Sequence, residues 1–293
     1  MAALPKPLWN APSPTPIPAI RGPSNSPVQK PQLLEFAGVF RGYELTRKDR
    51  RLSSGIAPLD DLIDGGIPRG RISEITGRAG SGKTSIAASF AKSATHSGEV
   101  AAWLDGSGSF DPESMAAAGV ELDRMLWASM TTATRMPRVA ASPLARRQSA
   151  IIKAAELVLE AGGFGLVVLD FGEAPRALTH ASALRIARAA ERSGAAVIAL
   201  APWRMCGTFA ALSLATSRAE TSFSRTAPGA PVTFDGLTVV AMLARNKMGG
   251  TGRRVRVRAL IDPIEATELT HLDLPNSDLP DFAARAGNRA LRS

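Results

Sequence analysis

The sequence predicts an α/β domain: a mainly parallel central sheet, helices on both faces, and antiparallel strands at its C-terminal end. Three observations carry that prediction. The first is Gly77-Arg78-Ala79-Gly80-Ser81-Gly82-Lys83-Thr84, a match to the phosphate-binding pattern G-x-x-x-x-G-K-[ST] placed between a strand-like and a helix-like stretch. The second is a pair of continuous apolar runs, Leu166 to Asp170 and Ala195 to Ala201, the pattern of strands buried on both faces of a parallel sheet. The third is two strand-like runs, Leu237 to Ala244 and Val255 to Ile261, joined by a turn containing Gly249, Gly250 and Gly252.

The 293 residues suffice for one large core with appendages, or at most two domains. The 45% hydrophobic content is ordinary for a globular chain, and no run approaches the roughly 18 apolar residues of a membrane span. Prolines break up the N-terminal apolar residues, so no secretory pattern is present. Cys206 is the sole cysteine, which excludes an intramolecular disulfide and leads us to expect a reducing, cytoplasmic setting. It reads as a small buried hydrophobe. The net charge of +9 suits an acidic partner, either nucleic acid or an acidic protein surface. The same charge fits arginines scattered over solvated faces, and 5% aromatics leave few platforms for stacking bases.

Residues 1–31 carry nine prolines, among them Pro5, Pro7, Pro12 and Pro31, and are expected to form a disordered or extended leader. Residues 32–51 read as a short amphipathic helix, Leu33 to Phe40, followed by a basic linker with Arg47, Lys48, Arg50 and Arg51. The nucleotide-binding domain is expected over residues 52–264. Turns at Gly65-Gly66 and Pro68-Arg69-Gly70 deliver the chain into a strand, Arg71 to Thr76. Residues 77–82 then offer backbone N–H groups to a polyphosphate, Lys83 reaches its outer phosphates, and Thr84 can hold Mg²⁺. Ser85 to Thr95 reads as the helix whose N-terminus faces the phosphates.

Val100 to Leu104 reads as a strand ending at Asp105, before a Gly/Ser loop and a short helix opened by Asp111-Pro112 and running to Ala118. Met125 to Ser129 is a further strand, and Thr131 to Ser142 a loop with Arg135 and Arg138. Leu144 to Ala161 is a helix with Ala145, Ile152, Ala155, Leu157 and Leu159 on its apolar side, stopped by Gly162-Gly163. Asp170 closes the next strand. A capping aspartate would look the same, but with a phosphate loop upstream it reads as the carboxylate that sits beside Thr84 and holds Mg²⁺ through water. Ser182 to Ser193 is a helix, and residues 265–293 lack periodicity and read as a tail.

Residues 52–262 resemble the RecA family of recombination ATPases. The resemblance is carried by LSSGIAPLDDLIDGGIPRGRISEITGRAGSGKT, by WLDGSGSFDPESMAAAGVELDRML, by LVVLD, by Val197 to Met205 and by Arg245-Asn246-Lys247, all in the family's order. It implies ATP and Mg²⁺ as ligands. It also exposes departures. Ser107 stands where the family has the glutamate that activates water, and a hydroxyl is no base near neutral pH. Ala79 replaces an acid in the phosphate loop, Ser114 replaces an adenine-stacking tyrosine, and Pro202 replaces the glutamine that senses the γ-phosphate. Both DNA-binding loops are cut down, and the family's C-terminal domain has no counterpart of its size. Asp105, Asp111 and Glu173 are the acids left as weak candidates for a base.

Arg245 and Lys247 match two lysines that in RecA reach a neighbour's nucleotide, which implies assembly with like subunits or on a RecA filament. With Arg253, Arg254, Arg256 and Arg258 they read equally well as a basic hairpin, solvated or against a DNA phosphate backbone. A diverged RecA-like core without strand-exchange loops resembles the ImuA-type accessory proteins of bacterial inducible mutagenesis, and Val39-Phe40-Arg41-Gly42 is similar to a V-W-R-G stretch in their leaders. That resemblance implies RecA, ImuB-like and error-prone polymerase partners, a role in translesion synthesis after DNA damage, and weak or no hydrolysis. An active DNA-dependent ATPase is the alternative.

Overall fold

A computed structural model of the chain describes residues 51–130, 142–225 and 232–260. The expected leader, the Leu33 to Phe40 helix, most of the basic linker, the Val39-Phe40-Arg41-Gly42 stretch, the Thr131 to Ala141 loop and the tail lie outside these residues.

The elements in chain order are β1 (Arg51–Leu52), α1 (Ala57–Leu62), β2 (Ile67–Pro68), β3 (Ile72–Thr76), α2 (Lys83–His96), β4 (Val100–Asp105), α3 (Pro112–Ala117) and β5 (Met125–Ser129). After these come α4 (Pro143–Ala161), β6 (Phe164–Asp170), α5 (His180–Ser193), β7 (Ala196–Ala201), β8 (Ala210–Ser224), β9 (Thr233–Asn246) and β10 (Arg254–Leu260). Eight strands form one sheet in the order β10-β9-β8-β3-β7-β6-β4-β5. The pairs from β8 to β5 are parallel, and β8–β9 and β9–β10 are antiparallel. This is the predicted architecture.

Residue parity explains why the apolar runs are continuous. In β6, Leu166 and Val168 pack on the face covered by Ile86 and Phe90 of α2, while Val167 and Leu169 pack on the face covered by α4 and α5. Both faces are dry, so every position of the strand must be apolar. Helix ends follow local chemistry. The Ser142 hydroxyl accepts the Ala145 N–H at the start of α4, the Thr179 hydroxyl accepts the Ser182 N–H at the start of α5, and Gly194 ends α5 at φ 74°. On α4 the buried row is Ile151, Ala155 and Leu159, one residue per turn, with Ile152 partly buried beside it. Leu157, expected on that side, is 59% exposed, because two positions beyond Ala155 lies about 200° around the helix.

The connection from β7 to β8 has no α-helix, only a single 3-10 turn at Gly207–Phe209. Residues 202–209 run back across β3, far shorter than the dozen or more residues a parallel crossover usually needs. Its backbone N–H groups therefore lack helical acceptors, and a side chain of β3 supplies one. Glu74, 1% exposed, accepts the N–H of Met205 at 2.7 Å, the N–H of Cys206 at 2.6 Å and the Ser213 hydroxyl at 2.9 Å. Burial and the Glu74 carboxylate push the Cys206 thiol well above its ordinary pKa. It is an inert core residue, as its sequence context suggests.

Strand β8 continues past the end of β3, whose Thr76 is level with Ala215, and pairs with β9 out to Ser224 and Thr233. Periodicity does not reveal this ribbon, because its outer half leaves the core and is polar. Among the described residues no helix is long and apolar enough to cross a membrane.

Candidate nucleotide-binding site

The phosphate loop leaves β3 at the C-terminal edge of the sheet. The Gly77 N–H donates to the Ala201 carbonyl at 3.0 Å, so the loop's first residue is fastened to the end of β7. Thr216 of β8 fastens its middle, with its hydroxyl 3.1 Å from the Thr76 carbonyl and 2.9 Å from the Ser81 hydroxyl. Two glycines are forced by close approach. A Cβ on Gly77 would lie 2.3 Å from Ser81 Oγ, and one on Gly82 would lie 2.2 Å from Val239 Cγ2 with φ at +82°. Arg78, Ala79 and Gly80 form the exposed rim.

Alanine at Gly82 therefore meets both a left-handed backbone and a methyl of β9. We expect Gly82→Ala to lower stability by about 2 kcal/mol and to weaken nucleotide binding more than tenfold, read by thermal melting and by titration with a fluorescent ATP analogue. Unchanged values in both would overturn this account of the loop.

Lys83 begins α2 with its side chain 8% exposed, and its Nζ donates to Glu173 Oε1 at 2.5 Å. Thr84 is half-buried and Ser85 exposed on the same first turn. Asp170 ends β6, one strand away from β3 across β7. Its Oδ1 accepts the Gly172 N–H at 2.9 Å, and its Oδ2 lies 3.1 Å from Ser107 Oγ and 3.3 Å from Ser109 Oγ. Burial raises the Asp170 pKa, with the Asp105 charge adding to the rise. The Gly172 and Ser107 hydrogen bonds and the Lys83 charge oppose it. A threonine hydroxyl and a carboxylate are hard oxygen donors of the kind Mg²⁺ takes.

Two of the candidate acids have structural duties. Asp105 is fully buried, and its carboxylate accepts the N–H groups of Ser107, Gly108, Ser109 and Phe110, shaping the turn that follows β4. Asp111 caps α3, accepting the Ser114 N–H and hydroxyl, and those bonds lower its pKa. Ser114 is thereby committed to a cap. Ser107 bridges the two buried carboxylates, 3.0 Å from Asp105 and 3.1 Å from Asp170, and its single proton serves one at a time. Pro202 is buried just after β7.

Arg245 and Lys247 are not at this edge. Asn246 is level with Leu212, and the Lys247 N–H donates to the Ala211 carbonyl, beside the start of β3. The length of β3, roughly 17 Å at 3.3 Å per residue, separates them from the phosphate loop. Burial and the neighbouring Arg245 and Arg71 charges lower the Lys247 pKa. Arg245 donates to the Gly207 carbonyl at 2.9 Å. The hairpin is docked by Asp64, whose carboxylate accepts from Arg253 at 2.9 Å and Asn246 at 3.0 Å.

Three residues at the site escaped sequence reasoning. Thr216 and Val239 sit on the far ribbon, and nothing in the loop motif points to them. Arg218 stands over the rim, its Nη1 3.9 Å from where a Gly80 Cβ would be. Glu74 did leave a signal, a carboxylate within an otherwise buried strand.

Residues 41–139 match the RecA N-terminal domain family. The chain is similar to RecA of Clostridioides difficile, 32% identical over 120 residues that make up 41% of this chain and 30% of that protein. It is also 45% identical to RecA of Rhodopirellula baltica over 76 residues, 26% of this chain and 20% of the relative. RecA of Nostoc punctiforme is 40% identical over 75 residues, 26% of this chain and 21% of its own length. These matched stretches thus span between a fifth and a third of the relatives. The RadB recombinase superposes with a TM-score of 0.51 at 20% identity, over 74% of this chain and all of that one. The core is RecA-like. In this RecA-like core the phosphate loop, Asp170 and Ser107 gather at the C-terminal edge of the sheet, and Arg245 and Lys247 lie at the opposite edge.

Proposed function

We propose that this chain is an ATP-binding protein of DNA repair, an ImuA-type accessory factor in damage-induced translesion synthesis, with weak or no hydrolysis. The observation that carries the reading is a complete phosphate loop with buried Lys83, beside a Ser107 hydroxyl where a RecA-type enzyme has its glutamate. Residues 77–82 and Lys83 would hold the phosphates of ATP, and Thr84 and Asp170 would hold Mg²⁺, which supplies charge neutralisation at the phosphates. Nucleotide state would then govern contact with RecA, ImuB-like or polymerase partners rather than drive a motor. The basic edge supports the assembly part of the reading: Arg245 and Lys247 are too far from their own loop to serve it, so any nucleotide they touch belongs to another subunit.

The test is ATP turnover by the pure protein with and without single-stranded DNA, with Lys83→Ala as blank. Tight binding with slow, DNA-independent turnover supports the accessory reading. Strong DNA stimulation that the blank lacks would favour the active recombination ATPase instead. Replacing both Arg245 and Lys247 by alanine should leave nucleotide affinity of the isolated chain within twofold. The same variant should weaken co-sedimentation with RecA filaments at least tenfold. Unchanged co-sedimentation would remove the interface role.

A further inference from the structure

Lys83 and Glu173 form the one ion pair at the phosphate loop among the described residues. Glu173 follows the strand that carries Asp170, and Gly172, at φ +71° with its N–H on Asp170, turns the chain so that the next side chain comes back to the loop. The ammonium that a phosphate loop offers to the outer phosphates is already satisfied by a carboxylate oxygen. That oxygen occupies an anion seat. An entering polyphosphate would compete with Glu173 for that ammonium, and a displaced carboxylate would stay tethered beside the loop.

We propose that Glu173 is the displaceable occupant of this seat and, once released, the base that activates water for the chain's hydrolysis of ATP. The proposal rests on the ATP-binding reading above. The other acids at this edge are committed. Asp105 is fully buried under four backbone N–H groups, and Asp170 is 3% exposed and held by Gly172, Ser107 and Ser109. Glu173 has its side chain 50% exposed and can meet a water. In the step, the water oxygen bonds to the terminal phosphorus while the bond from that phosphorus to the bridging oxygen breaks. The bond's electron pair stays on ADP, and the proton goes to Glu173 and then to solvent.

The experiment compares wild type, Glu173→Gln and Lys83→Ala in two assays: binding of a fluorescent ATP analogue, and single-turnover hydrolysis of ATP. Glu173→Gln removes an internal competitor and a base together. Its affinity should rise about three- to tenfold, while its hydrolysis rate falls at least tenfold, the low end of what a general base contributes. Glu173 is half-exposed, so the variant should fold, and its gain in affinity would show that it has. Unchanged or weaker affinity would overturn the seat, and hydrolysis equal to wild type, or wild-type hydrolysis no faster than Lys83→Ala, would overturn the base. Failure of the wild type to bind the analogue would instead sink the ATP-binding reading on which both depend.

Discussion

Replacing Glu74 by leucine is expected to destabilise the fold by about 3–9 kcal/mol, since it leaves two buried N–H groups and a hydroxyl unsatisfied at about 1–3 kcal/mol each. Leucine fills similar space, so the loss is one of hydrogen bonding and not of volume. The acceptor cannot be replaced by water: Glu74, Met205, Cys206 and Ser213 are all buried. With whole-domain stabilities of about 5–15 kcal/mol, the variant should stand near its unfolding midpoint under mild conditions. Glu74→Gln is the control. Its amide oxygen can still accept from Met205 and Cys206 while its NH₂ donates to the Ser213 oxygen, so its cost should stay near 1 kcal/mol. Urea titration reads both. A leucine variant within 1 kcal/mol of wild type would mean that residues 202–209 find other acceptors.

Lys83→Ala is expected to weaken ATP binding about a hundredfold, close to 3 kcal/mol, the scale of a charge-assisted hydrogen bond lost at a buried site. The structure adds a second component. Without the ammonium, the Glu173 carboxylate faces the incoming phosphates as a like charge. The double variant Lys83→Ala, Glu173→Gln should then recover roughly tenfold of the lost affinity. No recovery would mean that the Glu173 carboxylate does not face the incoming phosphates. Fluorescence titration at fixed Mg²⁺ provides the numbers.

Much of the parallel half of the fold is legible because both of its faces are dry. Strands such as β6 and β7 announce themselves as unbroken apolar runs, and α4 by its apolar side and the Gly162-Gly163 stop. The outer ribbon of β8 and β9 is the opposite case. Its residues past Ser217 answer to each other and to solvent, so no hydrophobic period marks them. The exposure of Leu157 has a different origin: at about 100° per residue it lies about 200° from Ala155, so the helical period by itself sets it apart from the row that packs.

By itself the sequence determined the phosphate loop, the strand and helix around it, and the carboxylate at the end of β6. These depend on local geometry: glycines where the backbone turns, a lysine and a hydroxyl at fixed offsets, and an aspartate where a strand stops. The tertiary structure decided who meets whom. It set Thr216 and Val239 against the loop, buried Asp105 in a turn of N–H groups, put Glu173 on Lys83, and sent Arg245 and Lys247 to the far edge. The contacts of Glu173, Thr216 and Val239 with the loop span from 90 to more than 150 residues of sequence, and their partners are chosen by the strand order β9-β8-β3-β7-β6-β4, which no local spacing encodes.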